Sequence, residues 1–303
     1  MKKEQFNLQD LVEEFGYFHV KIDKIFLKDL LIKASQSNKP HYDKKLIMRL
    51  GMNFTKGTKC CLTIYGWTKY EKTIPLEKLS KIVKITKTNW KEVESKIKFI
   101  RCGQSGGEIC PIFPIKLDRR LGSIIGHILG DGSIDARYKQ ISFSNSDKEL
   151  LKEFAVNMKL IFGVEPRIWM QKRPDFGNTK WDKRLDFIEE LIEGRNCSLF
   201  YPTTCSLLLN KIFNNFAIGK RKKLTQEILG TKKEFKRGLI RAFHDDEGSI
   251  ATRGGEIRLF QDKKDILETF RTLLLEFGIE PTQIKTYMKK NKKRFYFSIH
   301  RKS

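Results

Sequence analysis

The chain has 303 residues, 40% of them hydrophobic, which is enough for two or three modest domains with cores of their own and excludes a disordered tail. It carries 60 Lys plus Arg against 36 Asp plus Glu, a net charge of +24, and such an imbalance is best tolerated beside a polyanion, nucleic acid first. No apolar run approaches the roughly 18 residues of a spanning helix, mean hydropathy is −0.45, and the polar start Met1-Lys2-Lys3-Glu4-Gln5 lacks the pattern of a signal peptide, so a cytoplasmic protein with no membrane partner is expected.

Residues 1–115 read as a mainly helical domain that is itself basic, with 22 Lys plus Arg against 12 Asp plus Glu. Apolar spacing predicts helices over Ile25 to Ala34, Lys44 to Leu50 and Thr58 to Trp67, with Gly51 as a turn, and a further helix from Ile74-Pro75-Leu76 onward. Helix, Gly-containing turn and helix, with Thr63, Tyr65 and Lys69 displayed, is compatible with a helix-turn-helix DNA reader; any small helical bundle has the same periodicity. Gly103 to Gly107 and Pro111 to Pro114 mark the boundary. The six cysteines form no C-x-x-C pair, and reduced thiols are expected.

The remainder contains an internal repeat. Ile124 to Ile134 (IIGHILGDGSI) has a partner in Ile240 to Ile250 (IRAFHDDEGSI), each an apolar run ending in acid-Gly-Ser-Ile. Leu151 and Leu267 lie 19 residues beyond Gly132 and Gly248, and the helical patterns around them close on Phe162-Gly163 and Phe277-Gly278. The repeats divide as 116–230, including the basic linker Lys220-Arg221-Lys222-Lys223, and 231–303. Asp118 can cap the first motif helix, and Thr231 with Glu234 reads as a capping box for the second. Strands are predicted over Ser133 to Ala136, Gln140 to Ser144, Ser249 to Arg253, Glu256 to Phe260, Gln283 to Lys289 and Arg294 to His300, with Gly254-Gly255 as a hairpin turn. The first copy makes an excursion from Gln171 to Asn196, resumes at Cys197 to Tyr201 and closes with a helix over Cys205 to Phe216. The second copy reads to Ser303 with no such closing helix.

Each copy is thus helix, two strands, helix, two strands: an α+β unit whose sheet rests on its helices and leaves its other face free. Candidate DNA contacts on and beside that face are Arg137, Lys139, Arg167, Lys172, Arg173, Arg253, Arg258, Lys285, Lys289 and Arg294. Gly126 and Gly130 lie i,i+4 on one helix face, a costly placement that implies close helix packing; the matching position in copy two is Ala242. Packing the two motif helices side by side brings Asp131 and Glu247 together at the negative ends of two helix dipoles. A divalent cation resolves that conflict, and oxygen ligation with room for water suits Mg²⁺ (or Mn²⁺) better than Zn²⁺. In a basic protein the arrangement points to metal-assisted phosphodiester hydrolysis. His127 and His244 read as packed core groups.

These residues resemble the LAGLIDADG homing endonuclease family in its double-motif, monomeric form, with motifs at Ile124 to Gly132 and Ile240 to Gly248. The resemblance covers roughly residues 116–303. It implies two pseudo-symmetric αββαββ repeats forming a saddle-shaped sheet on double-stranded DNA, metal ligation by Asp131 and Glu247 assisted by the carbonyls of Gly130 and Asp246, and cleavage of both strands of a long target, as in intron homing. It also implies a basic residue after the last strand of a repeat, for which Lys302 is the catalytic candidate, copy one offering only Thr203-Thr204-Cys205 there. Leu129 stands where the family usually has Asp, and Asp246 where it has a small residue, which is expected to loosen the helix interface. Two alternatives use the same fold: a DNA-binding transcriptional regulator, which typically loses one or both acids, and an RNA-splicing maturase acting on intron RNA. An intein is not expected, because Met1 is no splicing nucleophile and Ser303 is no terminal Asn.

Overall fold

The computed structural model describes residues 4–12, 18–52, 61–103, 106–171, 181–218, 221–250, 255–289 and 292–300. The chain divides into two compact units, Gln5–Ile115 and Lys116–Ser303, the latter joined by Met1–Glu4.

In the Gln5–Ile115 unit the strands β1 (Phe18–Ile22), β2 (Ile74–Pro75), β3 (Ile97–Cys102) and β4 (Glu108–Ile109) form one antiparallel sheet in the order β2-β1-β3-β4. Along β1, Phe18, Val20 and Ile22 are buried, the alternation of a strand with one face inward. Five helices accompany the sheet: α1 (Lys24–Ser35), α2 (Lys44–Arg49), α3 (Leu62–Lys69), α4 (Leu76–Thr86) and α5 (Trp90–Ser95). Asp23 starts α1 by accepting hydrogen bonds from the amides of Ile25 and Phe26, both 3.0 Å. Leu27, Leu30, Leu31 and Ala34 then face inward at helical spacing, and α1 packs on α4. Periodicity anticipates α1 to α4 but neither α5 nor the sheet: β2 and β4 are only two residues long and show no alternation, while the alternation along β1 was legible and overlooked. The expected helix over Thr58 to Trp67 is observed from Leu62; residues 53–60 lie outside the described residues.

In the other unit the first repeat runs α6 (Arg119–Leu129), β5 (Gly132–Ile134), β6 (Ile141–Asn145), α7 (Lys148–Phe162), β7 (Arg167–Gln171), β8 (Trp181–Leu185), β9 (Cys197–Tyr201) and α8 (Thr203–Ile212). A short hairpin, β10 (Ala217–Ile218) and β11 (Arg221–Lys222), and a turn of helix, α9 (Gln226–Leu229), lead to the second repeat. That repeat runs α10 (Lys233–Glu247), β12 (Gly248–Ile250), β13 (Ile257–Gln261), α11 (Lys264–Leu275), β14 (Lys285–Lys289) and β15 (Lys292–Ile299). The sheets read β8-β7-β9-β6-β5 and β14-β15-β13-β12, all antiparallel. They share one topology, and β8, contributed by the excursion after Gln171, is added at the edge of the first.

Asp118 caps α6 as expected, accepting from the amides of Arg120 (3.0 Å) and Leu121 (3.2 Å). The capping box at Thr231 does not form: α10 begins one residue later, with Lys232 at its cap, and the Thr231 hydroxyl instead donates to the carbonyl of Ile228 at 2.7 Å, closing α9. Each sheet turns one face to its own helices. In the first, Phe143, Leu199 and Tyr201 are buried, with Phe143 4.7 Å from Phe154 of α7. In the second, Leu259 and Phe297 are buried, and Phe243 of α10 stacks on Phe270 of α11 at 3.9 Å.

Candidate functional site

The site begins where α6 and α10 cross. A methyl group on Gly122 would lie 2.0 Å from the carbonyl oxygen of Phe235, one on Gly126 would meet Leu239 O at 2.5 Å and the methyl of Ala242 at 2.8 Å, and one on Gly130 would meet the Asp246 side chain. From the other helix, a methyl on Gly238 would lie 1.9 Å from Arg119 O. Gly126, Gly130 and Ala242 are therefore at the crossing, as the small-residue stripe requires. Gly122 and Gly238, which extend the same four-residue spacing and make the tighter contacts, were legible in the sequence and overlooked.

This crossing carries the carboxylates of Asp131, Asp246 and Glu247 to one place at the C-terminal ends of the two helices. Asp131 is raised to about 6, first by burial and then by the neighbouring Asp246 charge; Glu247 is raised to about 7, first by burial and then by Asp131. The Lys222 ammonium opposes both shifts. Each of the two motif acids is held by an amide fourteen residues downstream, at the end of the next strand but one: Asn145 Nδ2 donates to Asp131 Oδ2 (3.2 Å) and Gln261 Nε2 donates to Glu247 Oε1 (3.1 Å). That matched pair was absent from the sequence reading, although the equal spacing signals it.

Lys222, on β11, supplies the nearby cation. Its ammonium donates to the carbonyls of Leu129 (3.1 Å) and Gly130 (2.5 Å), and all three carboxylates act electrostatically on it. The Gly130 carbonyl expected to face a metal therefore already accepts from a cation. Two oxygen ligands, a backbone carbonyl and mutually repelling carboxylates fit a hard divalent ion that keeps most of its water. Among the described residues no three His, Cys, Asp or Glu side chains are placed to enclose an ion by themselves.

Asp246 does not loosen the interface, contrary to expectation. Its carboxylate is buried, 3.0 Å from His127 Nδ1, and it accepts from the Asp131 amide at 3.3 Å, so it ties the two helices together. Burial raises its carboxyl and the His127 contact lowers it. His127 is 1% exposed, with its other ring nitrogen buried without a hydrogen-bond partner among the described residues and its ring packed on Phe143 and Phe154. Leu129, where an acid was anticipated, is fully buried.

The remaining expected contacts divide. Arg137 and Lys139 are exposed in the turn between β5 and β6, and Arg167 and Lys285 are exposed on β7 and β14. Arg258 is engaged by Glu256 (2.7 Å) and Arg294 by Asp262 (2.5 Å). Lys289 ends β14, while Lys172, Arg173, Arg253 and Lys302 lie outside the described residues. Thr203 and Thr204 open α8, the Thr203 hydroxyl donating to Tyr138 O (2.6 Å); among the described residues the basic groups acting on the acids include Lys222 and, on Glu247, Arg294, and none comes from this segment.

Because both raised acids take up protons on folding, the metal-free protein is expected to lose stability as pH rises from about 4, where carboxyls ionise in the unfolded chain, to about 6 to 7, where each ionises in the folded state and the decline levels off. Urea midpoints at pH 5 and pH 8, compared with those of the Asp131→Asn, Glu247→Gln double variant, check this: the double variant should lack that part of the decline, and Mg²⁺ should restore the wild type at pH 8.

Comparison with known proteins places the site in context. The family model described as "LAGLIDADG-like domain" matches residues 118–202 and 234–302. The DNA-directed RNA polymerase subunit Rpo1C of Methanocaldococcus jannaschii is 27% identical over 203 residues, 62% of this chain and 20% of that protein. The replication factor C small subunit of the same organism is 25% identical over 187 residues, 60% of this chain and 9% of that protein. The chain thus spans a fifth or less of these curated relatives. Among solved structures, variants of the homing endonuclease I-DmoI are 11% identical over 60% of this chain and 89% of theirs (TM-score 0.38). The N-terminal LAGLIDADG domain of DUF199/WhiA is 13% identical over 62% and 78% (0.38). The homing endonuclease I-WcaI bound to its DNA recognition sequence is 16% identical over 60% and 76% (0.39).

Proposed function

This chain belongs to the LAGLIDADG-like domain family, and from that membership we propose that it is a site-specific endonuclease that hydrolyses both strands of a long double-stranded DNA target with Mg²⁺ or Mn²⁺, acting as a monomer. The observation that carries the reading is the convergence of Asp131 and Glu247, each raised by burial and by a neighbouring carboxylate, with the Lys222 ammonium acting on both. A carboxylate pair at two helix C-termini has no structural benefit of its own and is suited to holding a cation. Asp131 and Glu247 would hold the ion, with the Asp246 carbonyl as a further candidate ligand and the Gly130 carbonyl shared with the Lys222 ammonium. When bound, it supplies Lewis-acid stabilisation of the charge that grows on the phosphate in the transition state.

The chain's own residues do the rest. Asn145 and Gln261 orient the two carboxylates through their amide hydrogen bonds. Lys222 places a positive charge beside the reacting phosphate, and Asp246 with His127 fixes the Asp131 backbone through the amide bond described above. The basic turn and strand residues Arg137, Lys139, Arg167 and Lys285 take the phosphate backbone. To the Gln5–Ile115 unit we assign an auxiliary DNA-binding role, supported by its excess of Lys and Arg and by the exposure of Thr63 and Lys69 on α3.

The test is incubation of the full chain with a randomised duplex library in Mg²⁺, in Mn²⁺ and in EDTA, followed by sequencing of new ends. The expected result is a small set of paired cuts at one extended sequence in either metal and none in EDTA. Enrichment of a bound sequence without new ends would make the protein a DNA-binding regulator instead, and protection of an intron RNA with no DNA enrichment would make it a maturase.

A further inference from the structure

The free faces of the two sheets are chemically different at matched positions. Ser144 and Ser198 form a cross-strand pair at the centre of the first sheet, their hydroxyls hydrogen-bonded to one another, with Ser133 and Ser142 similarly linked at 2.8 Å beside them. The same cross-strand place in the second sheet is held by Phe260 and Tyr296. Phe260 is 116 residues beyond Ser144, the offset of the whole repeat. Tyr287 of β14 joins them, so that three rings lie mutually in contact, Phe260 to Tyr296 at 5.5 Å, Phe260 to Tyr287 at 5.6 Å and Tyr287 to Tyr296 at 5.8 Å. Strand alternation puts all three on the face opposite buried Leu259 and Phe297, and each is only half-buried. Three half-buried rings turned away from a core are an apolar patch with no structural purpose inside the fold.

Among the described residues, the guanidiniums of Arg258 and Arg294 on this face are already engaged. Arg258 pairs with Glu256 and also lies 6.0 Å from the Tyr296 ring, and Arg294 pairs with Asp262. Neither is presented free to fork onto guanine, the usual polar reader in the major groove. The one apolar feature the major groove offers is the 5-methyl group of thymine. On the first sheet Trp169 is the cross-strand partner of Ser198 and Phe200 that of Ser142, while the central pair, Ser144 with Ser198, presents hydroxyls, which both donate and accept.

We infer that the two halves of the DNA target are read by different chemistry: Phe260, Tyr287 and Tyr296 of the second repeat take thymine 5-methyl groups, while Ser142 and Ser144 of the first, the latter backed by buried Ser198, read polar base edges. This rests on the duplex-binding reading given above. The two half-sites are accordingly unlike in sequence, and the second repeat's half is rich in thymine.

The experiment selects a bound sequence from a randomised duplex pool with the full chain in EDTA, then replaces thymidine by deoxyuridine in one half of that sequence at a time. The replacement removes only the methyl group. Burying one methyl corresponds to about a fourfold change in Kd, so two or more lost in the second repeat's half should weaken binding about tenfold or more, with little change in the other half. Phe260→Ser with Tyr296→Ser, which installs the first repeat's residues, should abolish that sensitivity and leave the other half's preferences unchanged. Equal affinity for the deoxyuridine duplexes in both halves overturns the inference, as does undiminished sensitivity in the double variant. The wild-type arm decides the question even if the double variant does not fold. Failure to enrich any duplex overturns the DNA-binding reading itself, and the inference with it.

Discussion

Asp131→Asn and Glu247→Gln are each expected to lower DNA cleavage by about 10³-fold or more while leaving duplex binding intact and making the metal-free protein more stable. The three readouts follow from one cause. Each carboxylate is held where burial and a second carboxylate disfavour its ionised form, which is why the acids are raised to about 6 and about 7. The neutral amides keep the shape and still accept from Asn145 and Gln261, so the helix ends stay in place. What is lost is the charge that holds a divalent ion. A gain in stability with a loss of turnover is the signature of a strained functional group. Cleavage rates on the selected target, filter-binding Kd and thermal midpoints above pH 7 measure the three effects together; wild-type cleavage by either variant would remove the acid from the mechanism. Lys222→Met should cost about 10²-fold in cleavage by withdrawing the ammonium bound to the α6 carbonyls. Asn145→Leu or Gln261→Leu should cost about 10 to 100-fold through misoriented acids.

Gly122→Ala and Gly238→Ala are expected to destabilise the protein by about 2 kcal/mol or more each. In an isolated helix the same change would stabilise by about 1 kcal/mol, because alanine restricts the unfolded chain and favours the helix. Here the added methyl would lie 2.0 Å from Phe235 O or 1.9 Å from Arg119 O, and a backbone carbonyl in a helix cannot turn aside. The helices must separate instead, which breaks contacts along the whole crossing and draws apart the acids at its end. Urea denaturation measures the first consequence and cleavage the second. An unchanged or higher urea midpoint in either variant would mean that the helices do not cross this closely.

The helix, strand, strand, helix order shared by both repeats, the alternation along β15, the small residues Gly126, Gly130 and Ala242 and the meeting of Asp131 with Glu247 were legible in the sequence alone. Those features are periodic or repeated, and each residue's spacing to its neighbours states its place. The tertiary structure decided the rest, because it depends on residues distant in the chain. Lys222 is one of four adjacent basic residues with nothing local to distinguish it, and the folding of β11 onto the end of α6 selects it over Arg221 and Lys223. Asp246 reads as a misfit on its own helix and becomes a tie only when His127 arrives from the other. In the sheet of the Gln5–Ile115 unit, β1 shows an alternation that was legible, but β2 and β4 are too short to show a period, and backbone pairing with β1 and β3 alone makes them strands. A local pattern records which way a side chain faces, whereas its partner across the fold is set by packing that no window of sequence contains.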